Sequence, residues 1–538
     1  MASTDPLFRI AWHADGSSRQ QVASWRGDAT ALAGDAACPL GITLVLGPQS
    51  WRVYVHPSSP IVVDSVDVTL TLPVSEAKSV YLNGYQSWTD SVERSPWATM
   101  HSLDLVPRKI VDGYVLDGSG DYRFVTYGHR RGQQHGFGYG YLRASDGVTL
   151  VGSLDEDSGY TVIRTDARED TVLLQKEPPA RTIASGEEVE VVSFALVAEK
   201  TPRDAVARWL KMSGIRTRKA TPLVGYTSWY RHYDKIDEAG LTHDLEGASH
   251  VLGVMDLGRC KPVFQIDDGF AKVGDWLDYD EDRFPHGMDW LATRIRGKGF
   301  VPGLWLAPFV AQKDSALVAE HPDWLQHNED GSPVATGCNW GGAYALDLRN
   351  EGAREYVTHV LQTVTRDWGF RLLKLDFLFA ACMLPHSGLN RGQLMADSLD
   401  LIREAVGDDV RLLLCGVPMV SAFGRCEYCR IGCDVGLDWD DVPYMRLLHR
   451  ERVSTKRAIA NAHGRQHLDG LAFRCDPDVL FLREDVKLND EQREELLDAC
   501  ETCGGVLFSS DDMGGWTPAQ LARYHQAVER FVARNGQA

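Results

Sequence analysis

Four aspartates stand where short apolar segments end after residue 223 of this 538-residue chain. Asp267 and Asp268 end one segment, Asp376 ends a second, and Asp434 ends a third. Cleavage of a glycosidic bond requires two carboxylates across a cleft: one exchanges a proton with the glycosidic oxygen, and the other attacks or stabilises the anomeric carbon. These positions predict glycosidase chemistry, with one acid pair for catalysis and another for sugar hydroxyls.

Basic and aromatic side chains accompany the four acids. Lys374 lies two residues before Asp376, and Arg430 lies four residues before Asp434, so both could supply fixed hydrogen bonds to a sugar. Tryptophans also occur near the segment ends, and an indole face suits the apolar side of a pyranose ring. These tryptophans are Trp229, Trp276, Trp305 and Trp439.

The elements that must position these groups repeat along the chain. From Leu223 onward, apolar segments with polar ends alternate with amphipathic helices, which is typical of βα units around a parallel sheet. Eight such units favour a (β/α)8 barrel, whose working groups lie at the carboxyl ends of the strands. The predicted strands are 223–229, 262–268, 300–308, 371–377, 411–418, 428–434, 468–474 and 505–510.

The first part of the chain has a different pattern. Between Gly41 and Phe194, short segments alternate apolar and polar residues and are rich in β-branched side chains, which predicts an antiparallel β-domain. A helical stretch and a basic, Pro-ended segment follow it. We therefore predict an α/β chain in three parts: a β-domain over 1–200, a helical linker over 201–222 and a barrel over 223–538.

Composition restricts the partners. The chain has 56 Lys and Arg against 75 Asp and Glu, a net charge of −19, which repels phosphate backbones and anionic lipids. We therefore expect neither nucleic-acid nor membrane partners, whereas a neutral small oligosaccharide would not feel this charge. The first residues lack the apolar stretch of a leader, which predicts a cytoplasmic location.

The cysteines favour reduced thiols. Eleven is an odd number, and no Asn-x-Ser/Thr sequence suggests a glycosylated surface. Two Cys-x-x-Cys pairs, at 426/429 and 500/503, suit zinc locally but are much further apart than the pairs of a zinc ribbon. We predict no metal and no organic cofactor.

Several motifs follow one another through the barrel region. They are Gly225-Tyr-Thr-Ser-Trp-Tyr, Phe264-Gln-Ile-Asp-Asp-Gly, Gly274-Asp-Trp, Pro302-Gly-Leu-Trp-Leu-Ala-Pro-Phe, His321-Pro-Asp-Trp, Leu373-Lys-Leu-Asp-Phe-Leu, Cys415-Gly-Val-Pro and Arg430-Ile-Gly-Cys-Asp. With them, Val224–Asp512 resembles the catalytic barrel of glycoside hydrolase family 36, the α-galactosidase family. Leu82–Trp88 is similar to part of the family's N-terminal β-sandwich. The resemblance implies a (β/α)8 TIM barrel preceded by an antiparallel β-sandwich, and a homo-oligomer.

The resemblance also implies catalytic roles. Asp376 would be the nucleophile that forms a covalent glycosyl-enzyme, and Asp434 the general acid and then general base. The anomeric configuration would be retained, with the two carboxyl groups about 5 to 5.5 Å apart. This chemistry needs an ionised Asp376, which the nearby Lys374 favours, and a protonated Asp434 when the leaving group departs.

Sugar-binding roles follow from the same resemblance. Asp267 and Asp268 would bind the axial 4-OH and the 6-OH of galactose, and Lys374 would reach the 3-OH and 4-OH. The other implied binding residues are Arg430 and Cys415 at the 2-OH, Trp305 and Trp229 in the pocket wall, and Trp88 reaching over from the sandwich.

Two departures from the family pattern leave alternatives open. The segment 424–429 differs from the usual sequence, which leaves the substituents accepted near the 2-position undetermined, and the family's C-terminal β-domain is expected to be missing or very short. Besides α-galactosidase, the alternatives are α-N-acetylgalactosaminidase, β-L-arabinopyranosidase, a galactosyltransferase of the raffinose-synthase kind, and a sugar-binding protein without activity.

Overall fold

The first half of the chain forms antiparallel β-sheets. The computed structural model describes residues 5–26, 40–100, 102–104, 106–441 and 450–535. The strands of this half are β1 (Leu7–Ala14), β2 (Gln20–Arg26), β3 (Leu40–Gly47), β4 (Ser50–Pro57), β5 (Ile61–Thr71), β6 (Ser79–Leu82), β7 (Glu93–Arg94), β8 (Gln133–Phe137), β9 (Tyr139–Arg143), β10 (Val148–Ser153), β11 (Thr161–Asp166), β12 (Thr171–Lys176) and β13 (Val189–Glu199).

These strands make two sheets that pack face to face. One has the order β2-β1-β5-β12-β11-β8, and the other has the order β3-β4-β13-β10-β9-β6-β7. Val68 and Leu174 of the first sheet share one apolar core with Val55 and Phe194 of the second, all fully buried. The alternating sequence pattern places one side of most of these strands in this core. The predicted antiparallel β-domain is confirmed.

A helix joins this region to the barrel. Helix α1 (Arg108–Tyr114) lies between β7 and β8, and α2 (Pro202–Ser213) follows β13. The hydroxyl of Thr201 accepts the backbone N–H of Asp204 at 3.1 Å and caps α2. The antiparallel strands end at Glu199 and the next strand begins at Leu223. The domain boundaries at 200 and 222 stay a prediction.

The second half alternates strands and helices. Its strands are β14 (Leu223–Thr227), β15 (Lys261–Ile266), β16 (Val301–Leu306), β17 (Val310–Gln312), β18 (Ala335–Gly337), β19 (Ala343–Ala345), β20 (Leu372–Leu375), β21 (Arg411–Leu414), β22 (Tyr428–Arg430), β23 (Arg474–Asp476), β24 (Val479–Leu480) and β25 (Val506–Ser509). Its helices are α3 (Trp229–His232), α4 (Glu238–Leu252), α5 (Met288–Gly297), α6 (Ala316–Glu320), α7 (Glu351–Gln362), α8 (Arg391–Val406), α9 (Thr455–Arg465), α10 (Asp490–Thr502) and α11 (Pro518–Asn535).

Nine of these strands form one parallel sheet that curls into a TIM-like barrel. Its order is β23-β22-β21-β20-β16-β15-β14-β25-β24. The two edge strands, β23 and β24, are separated in sequence only by Pro477 and Asp478, so together they occupy the seventh barrel position and bring the sheet edges together. Strands β17 to β19 form a small separate sheet after the third barrel strand.

The predicted seventh strand, 468–474, was wrong. Residues 466–468 form a helical turn, and the strand begins only at Arg474. Gly470 reverses the chain with a φ of +71°, and the Asp469 carboxylate accepts the N–H of Cys475 at 2.9 Å. Trp229, predicted at the end of the first strand, lies in α3. None of the helices within the described ranges combines the length and apolarity that a membrane crossing needs.

Candidate active site

A cavity of about 440 Å³ opens at the carboxyl ends of the barrel strands. Eight of the ten predicted site residues line it: Trp88, Trp229, Asp267, Asp268, Trp305, Lys374, Asp376 and Asp434. Because β15, β20 and β22 are parallel, the acids that follow them reach the same rim. Arg430 and Cys415 are not among the described lining residues and lie behind the wall.

Asp267 and Lys374 form a buried ion pair on the cavity floor. Lys374 Nζ donates to Asp267 Oδ2 at 2.9 Å, and Gln265 Nε2 donates to the same oxygen at 2.7 Å. Burial lowers the pKa of Lys374, but the attraction of Asp267 and Asp376 outweighs it and raises that pKa above its usual value. Lys374 therefore stays charged and holds a fixed position below the cavity.

Asp268 lies beside this pair with a perturbed pKa. Trp340 Nε1 donates to Asp268 Oδ2 at 2.7 Å. Burial, aided by the negative charge of Asp267, raises the pKa of Asp268 to about 7, against the lowering effect of the Trp340 hydrogen bond. Asp268 therefore titrates near neutrality, unlike an exposed aspartate.

Asp376 is oriented by donors to both carboxylate oxygens. The backbone N–H of Phe377 donates to Oδ1 at 2.9 Å, and Trp305 Nε1 donates to Oδ2 at 3.2 Å. Burial raises the pKa of Asp376 above its usual value; the Lys374 charge lowers that pKa without cancelling the rise, and the Asp434 charge adds to the rise. The repulsion from Asp434 indicates that the two proposed catalytic acids lie near each other.

Asp434 is more exposed than Asp376 and is held by an arginine. The side chain of Asp434 is 38% exposed, and its Oδ1 accepts Arg430 Nη2 at 2.8 Å. The same nitrogen donates to Asp478 at 2.8 Å. Arg430 thus lies behind Asp434 and links it to the buried Asp478.

Trp88 of the β-sandwich domain closes one side of the cavity. Its Nε1 donates to Cys415 Sγ at 3.1 Å, and its ring packs edge-on against Phe377, with centroids 5.0 Å apart. The neighbouring Ser87 accepts the N–H of Gly416 at 2.8 Å. The first domain therefore supplies part of the wall of a site centred on the second.

Sequence reasoning missed several residues of this site. Trp340 sits in a turn between β18 and β19 with a φ of 55°, and no periodic pattern marks that turn. Asp478 follows the misplaced seventh strand; the acidic Asp476-Pro-Asp sequence was the available signal. Tyr114 and Val453 line the mouth of the cavity from segments outside the barrel strands.

The unusual segment 424–429 begins at the far end of the barrel. Glu427 immediately precedes β22 and accepts Arg218 Nε at 2.6 Å, Arg403 Nη2 at 3.0 Å and the N–H of Leu412 at 2.9 Å. Leu412 lies near the amino-terminal end of β21, opposite the cavity. This part of the segment therefore lies at the amino-terminal end of the barrel, away from the cavity.

The two Cys-x-x-Cys pairs form no metal-ligand group within the described residues. Cys426 Sγ donates to the carbonyl of Ala422 at 3.4 Å, and Cys503 Sγ lies 3.3 Å from His463 Nδ1. Across the described ranges, the one group of three possible metal ligands is His243, Asp244 and Asp512, which contains no cysteine.

Comparisons with known proteins agree with this geometry. Residues 251–388 match the Melibiase family model. An α-galactosidase of Thermus thermophilus, solved in complex with stachyose, superposes with a TM-score of 0.71 at 28% identity, covering 90% of this chain and 95% of that chain. In fold and in the matched region, this chain is similar to α-galactosidases of the melibiase family, glycoside hydrolase family 36.

Curated relatives match over shorter stretches. α-Galactosidase AgaA of Geobacillus stearothermophilus is 29% identical over 170 residues, which are 31% of this chain and 22% of that protein. The A type blood α-D-galactosamine galactosaminidase of Flavonifractor plautii is 29% identical over 141 residues, 24% of this chain and 13% of that protein. The chain thus matches less than a quarter of the length of each of these relatives.

Proposed function

We propose that the protein is a retaining, exo-acting α-galactosidase that releases terminal nonreducing α-D-galactosyl residues from small oligosaccharides. The observation that carries this proposal is the convergence in one cavity of Asp376 and Asp434 with Asp267, Asp268 and Lys374. The Thermus thermophilus relative, whose structure contains stachyose, supports the sugar class.

The environments of the two acids suit two different steps. Asp376 would attack the anomeric carbon while the bond to the leaving oxygen breaks and Asp434 gives that oxygen a proton. Asp434 would then take a proton from water, which displaces Asp376 and restores the α-configuration. The buried, doubly hydrogen-bonded Asp376 is fixed for attack, and the 38%-exposed Asp434 can exchange protons with solvent.

The shape of the cavity favours removal of one end sugar. Asp267, Asp268 and Lys374 close the floor with polar groups, whereas the mouth carries exposed apolar side chains, Tyr114 and Val453. A galactosyl unit would sit on the floor, and the leaving group would extend past the mouth.

The test is hydrolysis of p-nitrophenyl α-galactoside by the wild type, Asp376→Ala and Asp434→Ala, with Asp289→Ala as a surface control. We expect both active-site variants to lose most activity. Azide should rescue Asp376→Ala by forming β-galactosyl azide, since azide replaces the nucleophile, and Asp434→Ala by forming α-galactosyl azide, since azide attacks the glycosyl-enzyme. Rescue products of the opposite configuration would contradict the assignments.

The alternatives give different outcomes in the same assay. A wild type that is inert on the galactoside but cleaves an α-N-acetylgalactosaminide or a β-L-arabinopyranoside would change the sugar and keep the mechanism. Longer oligosaccharides formed at high acceptor concentration would indicate a galactosyltransferase. The homo-oligomeric state and the cytoplasmic location stay predictions.

A further inference from the structure

Asp478 occupies the two-residue interruption between β23 and β24. Its φ is +83°, in the region that residues other than glycine rarely adopt, and its side chain is only 6% exposed. A buried carboxylate and a strained backbone both cost free energy, so such a residue persists only where surrounding contacts hold it.

Three donors converge on a single oxygen of Asp478. Oδ2 accepts the Tyr230 hydroxyl at 2.6 Å, the backbone N–H of Val435 at 2.9 Å and Arg430 Nη2 at 2.8 Å. Val435 directly follows Asp434, and Arg430 Nη2 also donates to Asp434 Oδ1 at 2.8 Å. Asp478 is therefore linked to Asp434 in two ways: through the backbone N–H of Val435 and through Arg430, which binds both carboxylates.

We propose that Asp478 is a positioning residue for Asp434, and this inference rests on the proposed function, in which Asp434 is the general acid and base. A general acid acts only within hydrogen-bond reach of the oxygen that it protonates. Without Asp478, Arg430 has Asp434 as its remaining hydrogen-bonded carboxylate and can move with it. The backbone N–H of Val435 also loses its acceptor. The Asp434 carboxylate then turns away from the leaving oxygen.

The test compares two leaving groups in Asp478→Asn and Asp478→Ala. Methyl α-galactoside needs a proton to release its alcohol, whereas 2,4-dinitrophenyl α-galactoside does not. We expect kcat/KM for the methyl substrate to fall about 100-fold, the loss typical of a misplaced catalytic group. We expect kcat/KM for the dinitrophenyl substrate to change by less than about threefold, because no acid is needed.

Asp511→Asn is the matched control. Asp511 is a buried acid after β25 whose Oδ2 accepts the backbone N–H of Leu482 at 2.7 Å and of Arg483 at 3.2 Å. Its loss should reduce both substrates equally. Equal losses on both substrates in the Asp478 variants, or no loss, would overturn the proposal.

Crystal structures of the wild type and Asp478→Ala test the inference independently of activity. We expect the Asp434 carboxylate to change orientation in the variant. An unmoved Asp434 would overturn the positioning role even if the protein cleaved a different sugar. A wild type that cleaves no galactoside would instead contradict the proposed function, so the two failures are distinguishable.

Discussion

Buried charged side chains line the floor of the cavity, whereas exposed, largely apolar side chains line its mouth. On the floor, Asp267, Asp268, Lys374 and Asp376 follow or belong to parallel strands and are less than 10% exposed. Asp267 accepts Lys374 Nζ and the backbone N–H of Asp268, and the charge of Lys374 acts on Asp376. At the mouth, Tyr114 at the end of α1 is 59% exposed, and Val453 is 40% exposed.

This difference suggests that the floor and the mouth bind different parts of a substrate. Charged groups at strand ends are fixed by the barrel, so they suit strict reading of one sugar. Exposed apolar side chains outside the strands offer contact area without directional demands, so they suit leaving groups of different shapes. We therefore expect substitutions on the floor to abolish activity and those at the mouth to change only substrate preference.

The largest effect is expected from the proposed nucleophile. Asp376→Ala removes the group that we propose to form the covalent intermediate, and we expect kcat for p-nitrophenyl α-galactoside to fall by about 10⁴-fold or more. Steady-state kinetics measure this loss, and unchanged thermal unfolding shows that the variant folds. A variant with a tenth of wild-type activity would contradict the assignment.

The floor ion pair should have the next largest effect. Lys374→Met leaves Asp267 buried without its cation and removes a proposed donor to sugar hydroxyls, so we expect kcat/KM to fall by about 10²- to 10³-fold. Asp267→Asn should cost a similar amount, and the double variant should lose less than the product of both losses. If the loss in the double variant equals the product of the two single losses, Lys374 and Asp267 act independently, and the description of the floor as one unit is wrong.

The raised pKa of Asp268 predicts that KM depends on pH. Because the pKa of Asp268 is raised to about 7, its protonated fraction grows as the pH falls through 7, and we expect KM for the galactoside to rise. Asp268→Asn should remove this dependence. Trp340→Phe should move it to higher pH, because it removes the hydrogen bond that lowers this pKa.

The same shift affects stability. The native state keeps the Asp268 proton to a higher pH than the unfolded chain does, so this group's contribution to the free energy of unfolding falls as the pH rises from about 4 to about 7. Denaturant titrations of the wild type and Asp268→Asn across this range measure the difference. Parallel curves would contradict the raised pKa.

The smallest effect is expected at the mouth. Tyr114→Ala removes an exposed aromatic surface and should raise KM for raffinose and aryl galactosides by about two- to tenfold, the range for one aromatic contact. Methyl α-galactoside should be unaffected. Val254→Ala, at an apolar residue that is 76% exposed and outside the cavity lining, is the control. Equal losses on all substrates would place Tyr114 in the structure of the site.

Local sequence patterns predicted most of the barrel. Seven of the eight predicted strands overlap strands of the parallel sheet over at least three residues, and the seventh shares only Arg474 with its strand. Continuous apolar segments between amphipathic helices have few other arrangements. The seventh failed because the apolar residues near Leu468 form a turn, and the short strand that replaces it is split at Asp478. Periodicity cannot reveal an interrupted strand of three and two residues.

The acids at the strand ends, and the type of element that carries each of them, follow from local features of the amino-acid sequence. Their convergence follows from the parallel sheet, so Asp267, Asp268, Lys374, Asp376 and Asp434 could be grouped before the fold was seen. The groups that surround these five residues depend on tertiary contacts. Trp88 comes from the other domain, Trp340 from an irregular turn and Asp478 from a break in a strand, and contacts between residues far apart in sequence leave no local pattern.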